Sequence, residues 1–60
     1  MEIEFLKPVK IGNRIYETGE YLKIKEPGDT LMDLNDDFYI IVYRGLRYDV
    51  RKDEIEIIKV

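Results

Sequence analysis

Hydrophobic and polar positions alternate along this chain in short runs, separated by clusters of turn residues. Glu2 to Leu6 reads EIEFL, with Ile3 and Phe5 on one side and Glu2 and Glu4 on the other. A repeat of two is the mark of a half-buried strand. Pro8 then ends regular pairing or marks an edge, because it has no N–H to give to a ladder. Val9 to Glu20 holds Gly-Asn and Thr-Gly turn signals around the apolar pair Ile15-Tyr16, which predicts a long ordered loop or a distorted hairpin. Alternation returns from Tyr21 to Glu26, with Leu22 and Ile24 inward and Lys23 and Lys25 outward. Pro27-Gly28-Asp29 is a turn: Pro presets one backbone angle and Gly accepts a positive one. Thr30 to Leu34 is a short strand with Met32 and Leu34 as its expected core side chains, and Asn35-Asp36-Asp37 makes the next turn.

Phe38 to Arg51, FYIIVYRGLRYDVR, predicts a hairpin with unequal arms. A two-residue loop at Arg44-Gly45 sets Tyr43 against Leu46, Ile41 against Tyr48 and Tyr39 against Val50. These six form the expected core face. On the other face Phe38, Ile40 and Val42 stand opposite Arg51, Asp49 and Arg47. The first arm, FYIIVY, is therefore apolar on both sides, and a slip of one residue would exchange its faces. Lys52-Asp53-Glu54 is too short for an α-helix and suits one 3₁₀ turn. Ile55 to Val60 closes the series, with Ile55 and Ile57 on one face and Ile58 and Val60 on the other. No stretch of helical length holds a 3.6-residue apolar rhythm, and Ala is absent. The expectation is an all-β domain over residues 1–60, its five or six strands curled into a small barrel to limit unpaired edges.

The order of strand, irregular loop, three-stranded meander, 3₁₀ turn and final strand resembles an SH3-like barrel along the whole chain. YRGLRYDVRKDEIEII is similar to the distal hairpin, 3₁₀ turn and last strand of that family, with Val50 and Ile55 at core positions. FLKPVKIGNRIYETGEYLKI resembles the openings of small phage-encoded proteins, which implies a phage or bacterial accessory protein. The hallmarks of a proline-peptide groove are missing. Phe38 stands near the place of the family's Trp, Arg51 replaces the Pro before the 3₁₀ turn, and Glu54 replaces the Tyr within it. Recognition of polyproline ligands is not implied.

Composition narrows the chemistry further. A sixty-residue domain holds one modest core. There is neither Cys nor His, so disulfides and histidine-bound metals are excluded. Nine isoleucines and five tyrosines suit pleated packing instead. No apolar run is long enough to span a membrane as a helix, and the acidic start MEIEFLK lacks the basic region of a signal peptide, so a cytoplasmic location is expected. Ser is also absent, and Thr18 and Thr30 are the only aliphatic hydroxyls, so no nucleophile–base triad can be assembled. The four glycines are dispersed and form no phosphate-cradling loop. Asp33, Asn35 and Asp37 imitate the start of a calcium loop. Phe38 and Arg44 occupy the places that need Gly and Glu, which favours an ordinary polar turn. The adjacent pairs Asp36-Asp37 and Asp53-Glu54 read as solvated turn residues rather than a catalytic dyad. The expectation is no enzyme, no cofactor and no metal.

What remains is binding. Phe38, Ile40 and Val42 beside Arg47 and Arg51, with Tyr16 and Glu54 near the rim, have the composition of a protein-binding patch. The bland alternative is a second mini-core, in which Ile15 and Tyr16 or Ile58 and Val60 cover that face. A self-associating patch would give a homodimer. The reading from a different class is a nucleic-acid-binding barrel that uses Arg44, Arg47, Arg51 and Lys52. Ten basic against thirteen acidic residues, a net charge of −3, argue against a large footprint of that kind.

Overall fold

The computed structural model describes residues 1–60 and is built only from strands and turns. The eight strands are β1 (Glu2–Phe5), β2 (Val9–Ile11), β3 (Arg14–Tyr16), β4 (Tyr21–Lys23), β5 (Thr30–Asp33), β6 (Phe38–Tyr43), β7 (Leu46–Arg51) and β8 (Ile55–Lys59). They form two three-stranded antiparallel sheets, β4-β1-β8 and β5-β6-β7, and the separate hairpin β2-β3. With no helix in the chain, no helix is long and apolar enough to cross a membrane.

The long hairpin has the register that its alternation predicts, from Phe38 opposite Arg51 to Tyr43 opposite Leu46. Its turn explains why. Arg44 and Gly45 both have positive φ, 51° and 82°, the type I′ arrangement whose twist matches that of the flanking strands. The segment Val9 to Glu20 is more regular than a loop: β2 and β3 pair directly, joined by Gly12-Asn13. Gly12, at φ 65°, supplies the positive angle a two-residue turn needs at its first position.

Nine buried side chains from all three sheets make one core: Ile3, Phe5, Ile11, Tyr16, Leu22, Ile24, Ile41, Val50 and Ile55. Phe5 and Tyr16 stack at 4.7 Å between ring centres, which joins β1 to the β2-β3 hairpin. The turn after β7 links the larger sheets. Glu54 Oε1 accepts from the Arg51 N–H, and the Glu54 N–H donates back to the Arg51 carbonyl. The Lys52 N–H reaches the Asp37 carbonyl before β6, while the Leu6 N–H reaches the Glu54 carbonyl after β1.

Three expectations need correction. The sheets do not close into a barrel, and there are eight strands rather than five or six. Between β4 and β5 the chain leaves one sheet for the other, through Pro27, which has no N–H, and Gly28 at φ 92°. Met32 and Leu34 are exposed rather than core, and Leu31 packs inward instead. The cause is register: Leu31 pairs with buried Ile41, so its neighbour Met32 shares the outer face with Ile40. Finally, Ile58 falls at an irregularity in the β1–β8 register, and the strand stops at Lys59 rather than Val60.

Candidate protein-binding face

The two apolar sides of β6 face different surroundings. Ile41 is sealed in the core, while Phe38, Ile40 and Val42 point away from it and are half-buried. Their cross-strand partners stand on the same face. Met32 lies opposite Ile40, Thr30 opposite Val42, and Arg51 opposite Phe38. The outer face of the meander is thus an apolar strip of Met32, Leu34, Phe38, Ile40 and Val42, bordered along β7 by Arg47, Asp49 and Arg51.

The arginines at that border are already engaged. Arg47 forms a fork to Asp49, with Nε to Oδ1 at 2.9 Å and Nη2 to Oδ2 at 3.4 Å. The same carboxylate holds the Arg47 guanidinium above its ordinary pKa. Arg51 lies over the Phe38 ring at 5.5 Å and pairs with Asp53 at 3.6 Å. Exposed pairs of this kind contribute little to stability. Here they leave the border nearly neutral while keeping flat guanidinium surface beside the apolar strip.

The remaining predicted site residues are placed differently. Tyr16 is a core residue, stacked on Phe5, and does not belong to the rim. Burial first, and then the neighbouring Tyr43 phenol, push its pKa up. Glu54 is consumed by its own turn, accepting the Arg51 N–H at 2.9 Å. The candidate covers also lie elsewhere: Ile15 is 57 % exposed, Ile58 45 % and Val60 98 %. Ile15 belongs to the β2-β3 hairpin and Ile58 to the β4-β1-β8 sheet.

The basic quartet does not form one patch. Arg44 sits at the turn end of the hairpin and Arg51 and Lys52 at its opposite end. Lys52 is bonded to Asp33, which raises its pKa, and its ammonium lies 5.0 Å from the Tyr39 ring centre. Only Arg44 lacks a carboxylate partner for its guanidinium. In the acidic turn before β6, Asn35 Oδ1 accepts from the Asp37 and Phe38 N–H groups, so the oxygen a cation would need serves the backbone.

Sequence reasoning missed Met32 and Leu34 as members of the outer face. The pattern pointed the other way, because Met32 and Leu34 share one phase of alternation whereas the opposite phase joins Leu31 to the charged Asp33. The choice is made by the pairing with β6, which a single strand does not encode. No protein-family model matches the chain, and no curated protein or solved structure matches it either.

Proposed function

We propose that this chain is a noncatalytic protein-interaction module of the SH3-like type, which works in the cytoplasm and binds its partner through the outer face of the β5-β6-β7 meander. One observation carries the reading: five apolar side chains share the outer face of the meander, Met32 and Leu34 exposed and Phe38, Ile40 and Val42 half-buried, and none of them belongs to the core. An apolar centre containing an aromatic ring and a Met, edged by arginines, has the make-up of interface cores. Small proteins gain from covering apolar area, so a strip left open in so small a domain calls for a purpose beyond folding. Support for the SH3-like type comes from the strand order, β4-β1-β8 beside β5-β6-β7, with one tight turn before the last strand. Because Arg47 and Arg51 are internally paired, most of the affinity would come from Phe38, Ile40 and Val42, with the arginines orienting the partner.

The test is affinity capture with the native chain and with an Ile40→Asp, Arg47→Glu double variant whose fold is verified by circular dichroism. The native chain is expected to retain a partner that resists washing with high salt, and the variant to lose it. Recovery of the same partners by both chains overturns the proposed face. Loss of the partner at moderate salt would instead favour a charge-driven, nucleic-acid-like contact. Sedimentation across a range of concentrations covers the remaining case. A dimer that the double variant dissolves would make the occupant of this face a second copy of the chain.

A further inference from the structure

A second feature lies at the turn end of the long hairpin, on the face opposite the apolar strip. The tip of β2-β3 and the tip of β6-β7 flank a half-open cleft of about 510 Å³, within the size range of small-molecule sites. Its walls include Arg14, Tyr16, Tyr43, Arg44, Leu46 and Tyr48, and no carboxylate lines it. In a chain of net charge −3, a concave surface with two arginines and no acid is a local exception.

Each guanidinium here lies on a ring. Arg14 sits 4.4 Å from the centre of Tyr16, and Arg44 sits 5.2 Å from that of Tyr43. A guanidinium over one ring can accept a second planar group on its free face, and its N–H fork suits an oxyanion. Arg14 is partly spent, with Nη2 on Glu20 Oε1 at 2.7 Å. Arg44 is not. It has no ion-pair partner, and its position is conformationally costly, at φ 51° in a turn where Asn is the favoured residue. The turn is held in place by the Arg44 N–H, which donates to Asp29 Oδ1 at 3.0 Å. A long cation kept in a strained position, unpaired and facing an aromatic cleft, is placed where strain accompanies function.

We propose that this cleft binds a nucleoside phosphate, with the base stacked on the free face of the Arg14 guanidinium, which lies over Tyr16, and the phosphate taken by Arg44. The inference is independent of the protein-binding face, since Tyr43, Leu46 and Tyr48 lie on the opposite face of the hairpin from Val42 and Arg47. Two sources share this chemistry, a free nucleotide and a single-stranded nucleic acid. NMR titrations with adenosine monophosphate and with a short single-stranded oligonucleotide distinguish them, with inorganic phosphate and an acidic peptide as comparisons. Saturable shifts are expected at Arg14, Tyr43, Arg44 and Tyr48, with phosphate alone at least about tenfold weaker, as loss of the stacking contribution requires. Tighter binding of the oligonucleotide identifies the strand as the source, and equal binding the free nucleotide.

Arg44→Asn separates binding from folding, because Asn suits the turn. The variant should melt no lower than the parent yet bind about tenfold or more weakly, as removal of a bidentate charged contact implies. Leu46→Glu, at a residue 61 % exposed, puts a carboxylate in the wall and should also abolish binding. Unaltered affinity in both variants, an acidic peptide that binds as tightly as the nucleotide, or the absence of saturable shifts overturns the proposal.

Discussion

Adjacent residues in this protein have opposite duties, and Ile40 and Ile41 are the clearest case. Ile41 is fully buried among the nine core residues, whereas Ile40 stands on the outer face beside Met32. Truncating a sealed core isoleucine removes transfer energy and leaves a cavity. Ile41→Ala is therefore expected to cost about 2–5 kcal/mol, enough to unfold a domain of this size in mild urea. Ile40→Ala should cost only about 1 kcal/mol, because part of that side chain already meets water. Urea titrations of the two variants check the contrast, and equal costs would mean that both sides of β6 are interior. This division was legible in the sequence, since alternate residues of a strand must point oppositely. What could not be read from the sequence was the fate of the charges. The pairing of Lys52 with Asp33 and of Lys7 with Asp53 depends on elements brought together only by the fold.

At the level of elements, the long hairpin is the part that the sequence specifies best. Arg44-Gly45 between two alternating arms fixes both the turn and the register, and the observed pairing agrees at each position. Gly45, at φ 82° with open space around the site of a Cβ, is required for backbone reasons alone. Gly45→Ala should therefore destabilise by about 1–2 kcal/mol through conformation and not through a clash. Thermal melts would measure the loss, and an unchanged midpoint would show that the turn is not held in the I′ form. Less legible was β5, where the phase with two apolar residues, Met32 and Leu34, faces outward and the phase of Leu31 and Asp33 faces inward. Its partner decides between them. The closure of the strands was also overestimated from the pattern alone. Pro27-Gly28-Asp29 reads as a simple turn after a strand to Glu26, yet β4 ends at Lys23 and the segment 24–29 carries the chain from one sheet to the other, so β4 and β5 pair with different partners.

For the molecule as a whole, the doubled dryness of FYIIVY resolves into one interior side and one outward side. The core joins three sheets through nine side chains, and the outer side of β6 takes no part in it. Whether the meander's strip works as an interface rests on that openness. Paramagnetic relaxation by a soluble probe, read at the methyl groups of dilute protein, tests it most directly. Strong relaxation of Ile40 and Val42, with Ile41 and Val50 silent, is the expected result. Equal protection of Ile40 and Ile41 would contradict the account, because the strip would then be interior and unavailable to any partner.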